Sequence, residues 1–468
     1  MSRTAPIKGL GLIEPKRELS FFKIQLRWYR DLHSSLNLFS RTSFFYNKKR
    51  GLLNMLNLST NLASNKELEF YLSEIEKAQM NLKGVSKKTA IIYSDVFSNE
   101  SGNDVYIKPE NLQVTGAFKI RGAYNKLCTL TPSEKERGII ASSAGNHAQG
   151  VAFSAEKLGV SATIVMPKTT PLIKVEATKS YGASVILFGD CYDEAYTEAK
   201  RLEKQHNYVF VHPFDDLDVM YGQGTIGCEI LEEIEDIDCI LVPVGGGGLI
   251  GGIALAAKAL NPNIKIIGVE PEGAKAMKDS MDNNVIVHLA TVRTIADGVA
   301  VKKPGDLTFE IIQNYVDEIV TVSDFDIMES FLLLLEKHKL IAEASGALSF
   351  AGLKKIAERG KKVVCVLSGG NIDVVTISSM IDRGLVSRGR LFCFSVEMPD
   401  IPGELVKIST ILAKLNANVV KLDHNQFKTK DRFMQVQLEI TAETNGFGHV
   451  TAIINELNKE GYTVHKIY

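Results

Sequence analysis

Between residues 138 and 370 short β-branched runs alternate with amphipathic stretches of helical period. Few architectures accept that pattern. A buried run of five or six residues bounded by glycine or proline reads as a strand, and helices between successive strands call for a mainly parallel sheet with crossover connections. The strand candidates are 138–142, 161–166, 184–188, 208–212, 238–244, 264–269, 317–322 and 362–367. Helices are expected over 145–158, 172–182, 192–205, 222–234 and 249–260. Near residue 385 the pattern changes. The polar, basic stretch 382–390 (DRGLVSRGR) reads as a linker. Beyond it the order is strand 391–398, helix 404–415, strands 418–426 and 431–440, helix 447–460 and strand 461–467. That is a βαββαβ unit of ferredoxin-like topology.

Composition narrows the function classes. At 468 residues the chain has room for two or three domains, and its net charge of −1 offers no field for nucleic acid or an anionic membrane. The most apolar window, 238–260, is broken by Pro243 and by glycines, so it does not read as a membrane span. Six scattered cysteines, without a C-x-x-C pair, suit free thiols in a cytoplasmic setting. Residues 1–58 form a basic extension, read as disordered or as a non-native start with Met55 the favoured beginning; a transit peptide is the alternative.

Four short segments carry chemistry. Lys119 lies in TGAFKIRGA, residues 115–123, between Phe118 and small residues. Desolvation there would lower its pKa and leave a free amine able to form an imine; the plain alternative is a lysine snorkelling from a helix end. SSAGNHAQG (142–150) sits where a strand gives way to a helix. The free N–H groups of Ser143, Ala144, Gly145, Asn146 and His147 suit a substrate carboxylate. In VPVGGGGLIGG (242–252) four glycines between strand and helix let the backbone wrap a single phosphate; no Gly-Lys-Ser/Thr follows, so it is not a P-loop. CVLSGGN (365–371) ends a strand on the neutral hydroxyl of Ser368. Glu229, in GQGTIGCEI, reads as an exposed helix carboxylate, with a cation ligand as the alternative; it is not counted among the site residues, and no metal site is expected.

In combination, KPENLQVTGAFKIRGA (108–123), SAGNHAQGVA (143–152), PVGGGGL (243–249) and SGGN (368–371) resemble the fold-type II pyridoxal phosphate enzymes, and within them the threonine ammonia-lyases. The resemblance covers roughly residues 59–385, and the C-terminal unit resembles an ACT regulatory domain. It implies two open, mostly parallel α/β subdomains: a large one from 59–137 and 215–385, a small one from 138–214, with 386–468 as the ACT-like domain. Lys119 would then carry pyridoxal phosphate and act as the base at Cα. Phe118 would pack beside the ring, Asn146 would bond its 3′-oxygen and Ser368 would face its nitrogen. Gly245, Gly246, Gly247, Gly248 and Leu249 would hold the phosphate, and 143–147 the substrate carboxylate.

The implied reaction is β-elimination of L-threonine to 2-oxobutanoate and ammonia, with L-serine as a secondary substrate. Serine racemases resemble the same sequence but carry a serine where this chain has Ala144. Without that hydroxyl no group can return a proton to the face opposite the lysine. An inactive amino-acid sensor is the alternative of another class. Resemblance to ACT domains marks Asp400, Gly403 and Asn418 as effector contacts, implies an amino-acid effector and supports a homodimer or homotetramer.

Overall fold

The computed structural model describes residues 66–425 and 435–467. The extension 1–58 lies outside the described residues. Among the described residues, ten strands precede the C-terminal unit: β1 (Ile92–Tyr93), β2 (Asp104–Pro109), β3 (Ile139–Ser142), β4 (Ala162–Met166), β5 (Ser184–Leu187), β6 (Val209–Phe210), β7 (Cys239–Pro243), β8 (Lys265–Pro271), β9 (Glu318–Val322) and β10 (Lys362–Leu367). They form two sheets. The larger runs β1-β2-β10-β7-β8-β9, parallel throughout except where β1 meets β2; the smaller runs β5-β4-β3-β6, parallel throughout.

The central strands are buried on both faces, which is why they read as unbroken apolar runs. Along β10, Val363, Cys365 and Leu367 enter one core cluster while Val364 and Val366 enter another on the opposite face. The same division by alternate residues holds in β3, where Ile139 and Ala141 face one cluster and Ile140 the other.

Sequence reasoning passed over β1 and β2. β2 lies between β1 and β10, and it carries Lys108 inward with zero exposure. A buried lysine looks like a surface residue until its partners are known. The predicted helix 222–234 starts earlier, at Leu217, where Asp216 accepts the Val219 N–H as its cap.

The stretch 382–390 is not a linker. The helix Val374–Ser387 runs through most of it, because Ile377, Met380 and Ile381 pack onto the large-sheet core. Two of its three arginines are paired: Arg388 with Glu329 at 3.0 Å and Glu336 at 2.9 Å, and Arg390 with Glu336 at 2.7 Å.

The C-terminal unit has β11 (Leu391–Pro399), β12 (Asn418–Asn425), β13 (Gln435–Glu443) and β14 (Thr463–Lys466) in the antiparallel order β12-β13-β11-β14. The helices Glu404–Lys414 and Phe447–Lys459 cover one face; Phe392, Phe394 and Val396 from that face pack with Ile408, Leu412, Ile453 and Leu457. This is the ferredoxin-like arrangement expected from the sequence.

Candidate active site

In a parallel sheet the loops that leave the carboxyl ends of the strands gather on one edge, and ligands bind there. The segments after β3, β6, β7 and β10 meet at such an edge around the start of the helix Lys119–Thr129. Phe118 occupies the N-cap of that helix and Lys119 its first position.

The loop carrying Lys119 is laced to the loop after β10. Phe118 N–H bonds Ser368 O at 3.1 Å, and Gly370 N–H bonds Gly116 O at 2.9 Å. Asn371 adds a side-chain bond from Nδ2 to Thr115 O at 2.7 Å. Ser368 is buried at the end of β10. Lys119 Nζ donates to the carbonyl of Pro213, 94 residues away, at 2.7 Å. It stands 5.2 Å from the centroid of the Phe118 ring. Burial pushes its ammonium down to about 8, against the upward pull of Glu343. A lysine with that value is a nucleophile and a base near neutrality.

Lys119 is also held from behind by a dry charge cluster. Arg121, two residues on, donates from Nε and Nη2 to Glu110 at 2.8 Å each, and from Nη1 and Nη2 to Glu229 at 2.6 and 2.9 Å. Lys108 Nζ meets Glu229 at 2.7 Å. Burial disfavours the Glu110 carboxylate, yet Arg121 holds its pKa below the ordinary value. The expectation that Glu229 is exposed is therefore wrong. Its carboxylate is buried because two cations meet it, and among the described residues no group of acidic, histidine or cysteine side chains is placed to hold a metal ion.

After β3 the helix Asn146–Leu158 begins with Gly145 as N-cap, and 143–146 are partly open to the cleft. Ser143 Oγ accepts the Gly145 N–H at 3.2 Å. The side chain of His147 is a structural hydrogen-bonder. Its ring is buried and its Nε2 donates to Val211 O at 3.0 Å, so the side chain secures the segment leading to Pro213. Burial, and then the charge of Lys119, push the ring down to about 3, which keeps it neutral. Only its backbone N–H is left for an anion at the helix start.

The loop after β7 is shaped as a cradle. Gly247, at φ +98°, caps the helix Gly248–Leu260, whose first bond runs from Gly251 N–H to Gly247 O. The N–H groups of Gly245, Gly246 and Gly247 have no acceptor among the described residues. A Cβ at Gly246 would overlap the ring of Phe214, and one at Gly247 would lie 2.8 Å from Ile312, Met277 and Thr308. Thr308 Oγ1 pins the loop through Gly246 O at 2.6 Å. Unpartnered N–H groups on a positive helix end, in a space only glycine leaves open, fit a phosphate.

Sequence reasoning missed three participants. Pro213 and Phe214 follow the short β6 and could have been found from the strand-end rule. Glu343 could not: it is the N-cap residue of the helix Ala344–Gly352, in an unremarkable IAEAS context. Its Oε1 accepts Asn146 Nδ2 at 2.7 Å, while Asn146 Oδ1 accepts Asn371 Nδ2 at 2.9 Å. Burial, with help from Asp297, pushes the Glu343 carboxyl up to about 8.

The effector candidates do not come together within one chain. Asp400 and Gly403 share the turn after β11. Asn418 opens β12 opposite Glu443, which in turn stands opposite Leu391 at the start of β11. β11 and β12 run parallel with β13 between them, so Asn418 lies at the far end of the sheet from that turn. Its Nδ2 bonds Glu443 at 2.8 Å.

The family model for pyridoxal-phosphate dependent enzymes matches residues 83–369. An L-threonine ammonia-lyase from Thermotoga maritima is 47% identical over 394 residues, 84% of this chain and 98% of that protein. Among solved structures, the processed form of threonine deaminase isoform 2 from Solanum lycopersicum superposes with a TM-score of 0.65 at 39% identity, covering 67% of this chain and 92% of that one. Maize serine racemase superposes with a TM-score of 0.64 at 34% identity, covering 68% and 98%.

Proposed function

Because this chain belongs to the pyridoxal-phosphate dependent enzymes, we propose that the cleft around Lys119 is where it eliminates water from a β-hydroxy amino acid. The activity is that of a threonine ammonia-lyase: L-threonine goes to 2-oxobutanoate and ammonia. When bound, pyridoxal phosphate supplies the electron sink for the pair released from the Cα–H bond.

The chain's residues do the rest. Lys119 anchors the cofactor. Its amine, whose pKa burial lowers to about 8, would take the Cα proton in its unprotonated form. The N–H groups of Gly245 to Leu249 would hold the phosphate, and Phe118 would lie beside the ring. Asn146 offers its remaining amide hydrogen to the ring oxygen. Ser368 would offer the ring nitrogen a hydroxyl in place of a carboxylate, which would leave the ring neutral and suit elimination over amino transfer. The backbone N–H groups of 143–147 take the substrate carboxylate, with the His147 ring bonded elsewhere.

The observation that carries elimination over racemisation is Ala144. It stands in the partly open carboxylate loop, and its methyl group can neither accept nor deliver a proton. Lys119 is then the base on one face, and Ala144 supplies none on the other. Purified protein incubated with L-threonine is expected to release 2-oxobutanoate, read by a keto-acid assay. Formation of D-amino acid without oxo acid would overturn the assignment.

L-Serine is read as a secondary substrate giving pyruvate. The ferredoxin-like unit is read as an ACT domain that takes an amino-acid effector at the Asp400–Gly403 turn, with Asn418 joining only from a second chain of a homodimer or homotetramer. Titrating isoleucine and valine against activity tests this; no response at any threonine concentration removes it.

A further inference from the structure

Glu110 and Glu229 are buried carboxylates neutralised by Lys108 and Arg121. Glu343 is buried as deeply, but no lysine or arginine among the described residues forms an ion pair with it. Its charged surroundings are Asp297, Lys174 and Lys119, with Lys174 Nζ itself 3.3 Å from Asp297. Its own N–H bonds Gly369 O at 3.0 Å, and Gly369 packs against its Oε1. A side chain so costly to bury, touching the loops of Asn146 and Ser368 together, calls for a role.

The hydrogen bonds define one. Asn146 Nδ2 faces a carboxyl oxygen and Asn146 Oδ1 faces the amide nitrogen of Asn371. Asn371 Nδ2 is fixed as a donor by its bond to Thr115 O, so flipping the Asn146 amide would set N–H on N–H. The amide is therefore locked, with one Nδ2 hydrogen spent on Glu343 and one left over. We propose that Glu343 is a positioning residue: its carboxyl aims that second hydrogen at the cofactor's ring oxygen, and its charge, held across Gly369 from Ala117 in the Lys119 loop, favours the protonated form of Lys119. The first half rests on the assignment of Asn146 to that oxygen; the second does not.

The test begins with cofactor-free protein. Competitive acetylation of Lys119 with acetic anhydride, read by peptide mass spectrometry against pH, is expected to give a midpoint near 8. Glu343→Gln keeps an acceptor oxygen and removes the charge, so the midpoint falls. Asp297→Asn removes a like charge from beside Glu343 on an exposed side chain; Glu343 then stays ionised to lower pH, and the midpoint rises. Equal midpoints in the three proteins overturn the charge half.

For the positioning half, equilibrium dialysis of pyridoxal phosphate is expected to show Glu343→Leu binding about tenfold more weakly than Glu343→Gln, the worth of one buried hydrogen bond. Equal affinities overturn it. If Asn146→Ala binds the cofactor as tightly as the parent protein, the Asn146 assignment fails and takes the positioning half with it. The labelling result still decides the charge half.

Discussion

Replacing Glu229 by glutamine tests how the reactive helix is held. Lys108, Arg121, Glu110 and Glu229 carry two positive and two negative charges with almost no solvent contact. Their formal charge sums to zero. Glu229→Gln leaves one uncompensated positive charge in that space and offers one amide oxygen to three donors: Lys108 Nζ and the two terminal nitrogens of Arg121. Breaking a buried pair from one side costs about 3–5 kcal/mol. A native state is worth only about 5–15 kcal/mol in total. The double variant Lys108→Met with Glu229→Leu removes one charge of each sign and fills the space with apolar volume, so it should cost less than the single one. Urea unfolding followed by circular dichroism measures both. The reasoning is refuted if Glu229→Gln stays within about 1 kcal/mol of the parent protein, the size of an exposed pair, or if the double variant is the less stable.

Three further outcomes follow from the site. Capture of pyridoxal phosphate by cofactor-free protein should speed up as pH rises and level off above about 8, because only the unprotonated Lys119 reacts and burial has moved its titration down from 10.5; stopped-flow absorbance reads the midpoint, and a value near 10.5 contradicts the desolvation argument. Ala144→Ser restores a hydroxyl to the carboxylate loop and should give D-serine from L-serine, detected by chiral chromatography; none formed would mean that Ala144 is not what blocks racemisation. Gly247→Val forces a β-branched residue to φ +98° with a Cβ 2.8 Å from three neighbours, and should weaken cofactor binding at least tenfold by dialysis; unchanged affinity would show that the loop does not need its glycine geometry.

Much of this was legible in the residues alone. Strand, small-residue turn and helix start are local signals, and each chemical motif is written in consecutive positions: Lys119 after Phe118, Gly245–Gly248 after β7, Ser368 after β10. The neutral hydroxyl at Ser368 and the methyl group of Ala144 are facts of sequence, and with them the preference for elimination. What stayed hidden depended on partners far along the chain. Lys108 and Glu229 are 121 residues apart, and Asn146 and Glu343 are 197 apart. A carboxylate or ammonium is buried only where another charge or hydrogen bond offsets its lost hydration, and no local pattern records that offset. So Glu229 read as surface, β2 was passed over, a basic helix read as a linker, and Glu343 went unnoticed. Asn418 shows the same limit. Its likeness to an effector residue is a matter of sequence, but only the order of strands decides that it starts β12 at the end of the sheet remote from Asp400 and Gly403. Sequence marked out the candidate reacting groups; the fold decided which charges stand beside them, because solvent exclusion and long-range pairing exist only once the sheets are assembled.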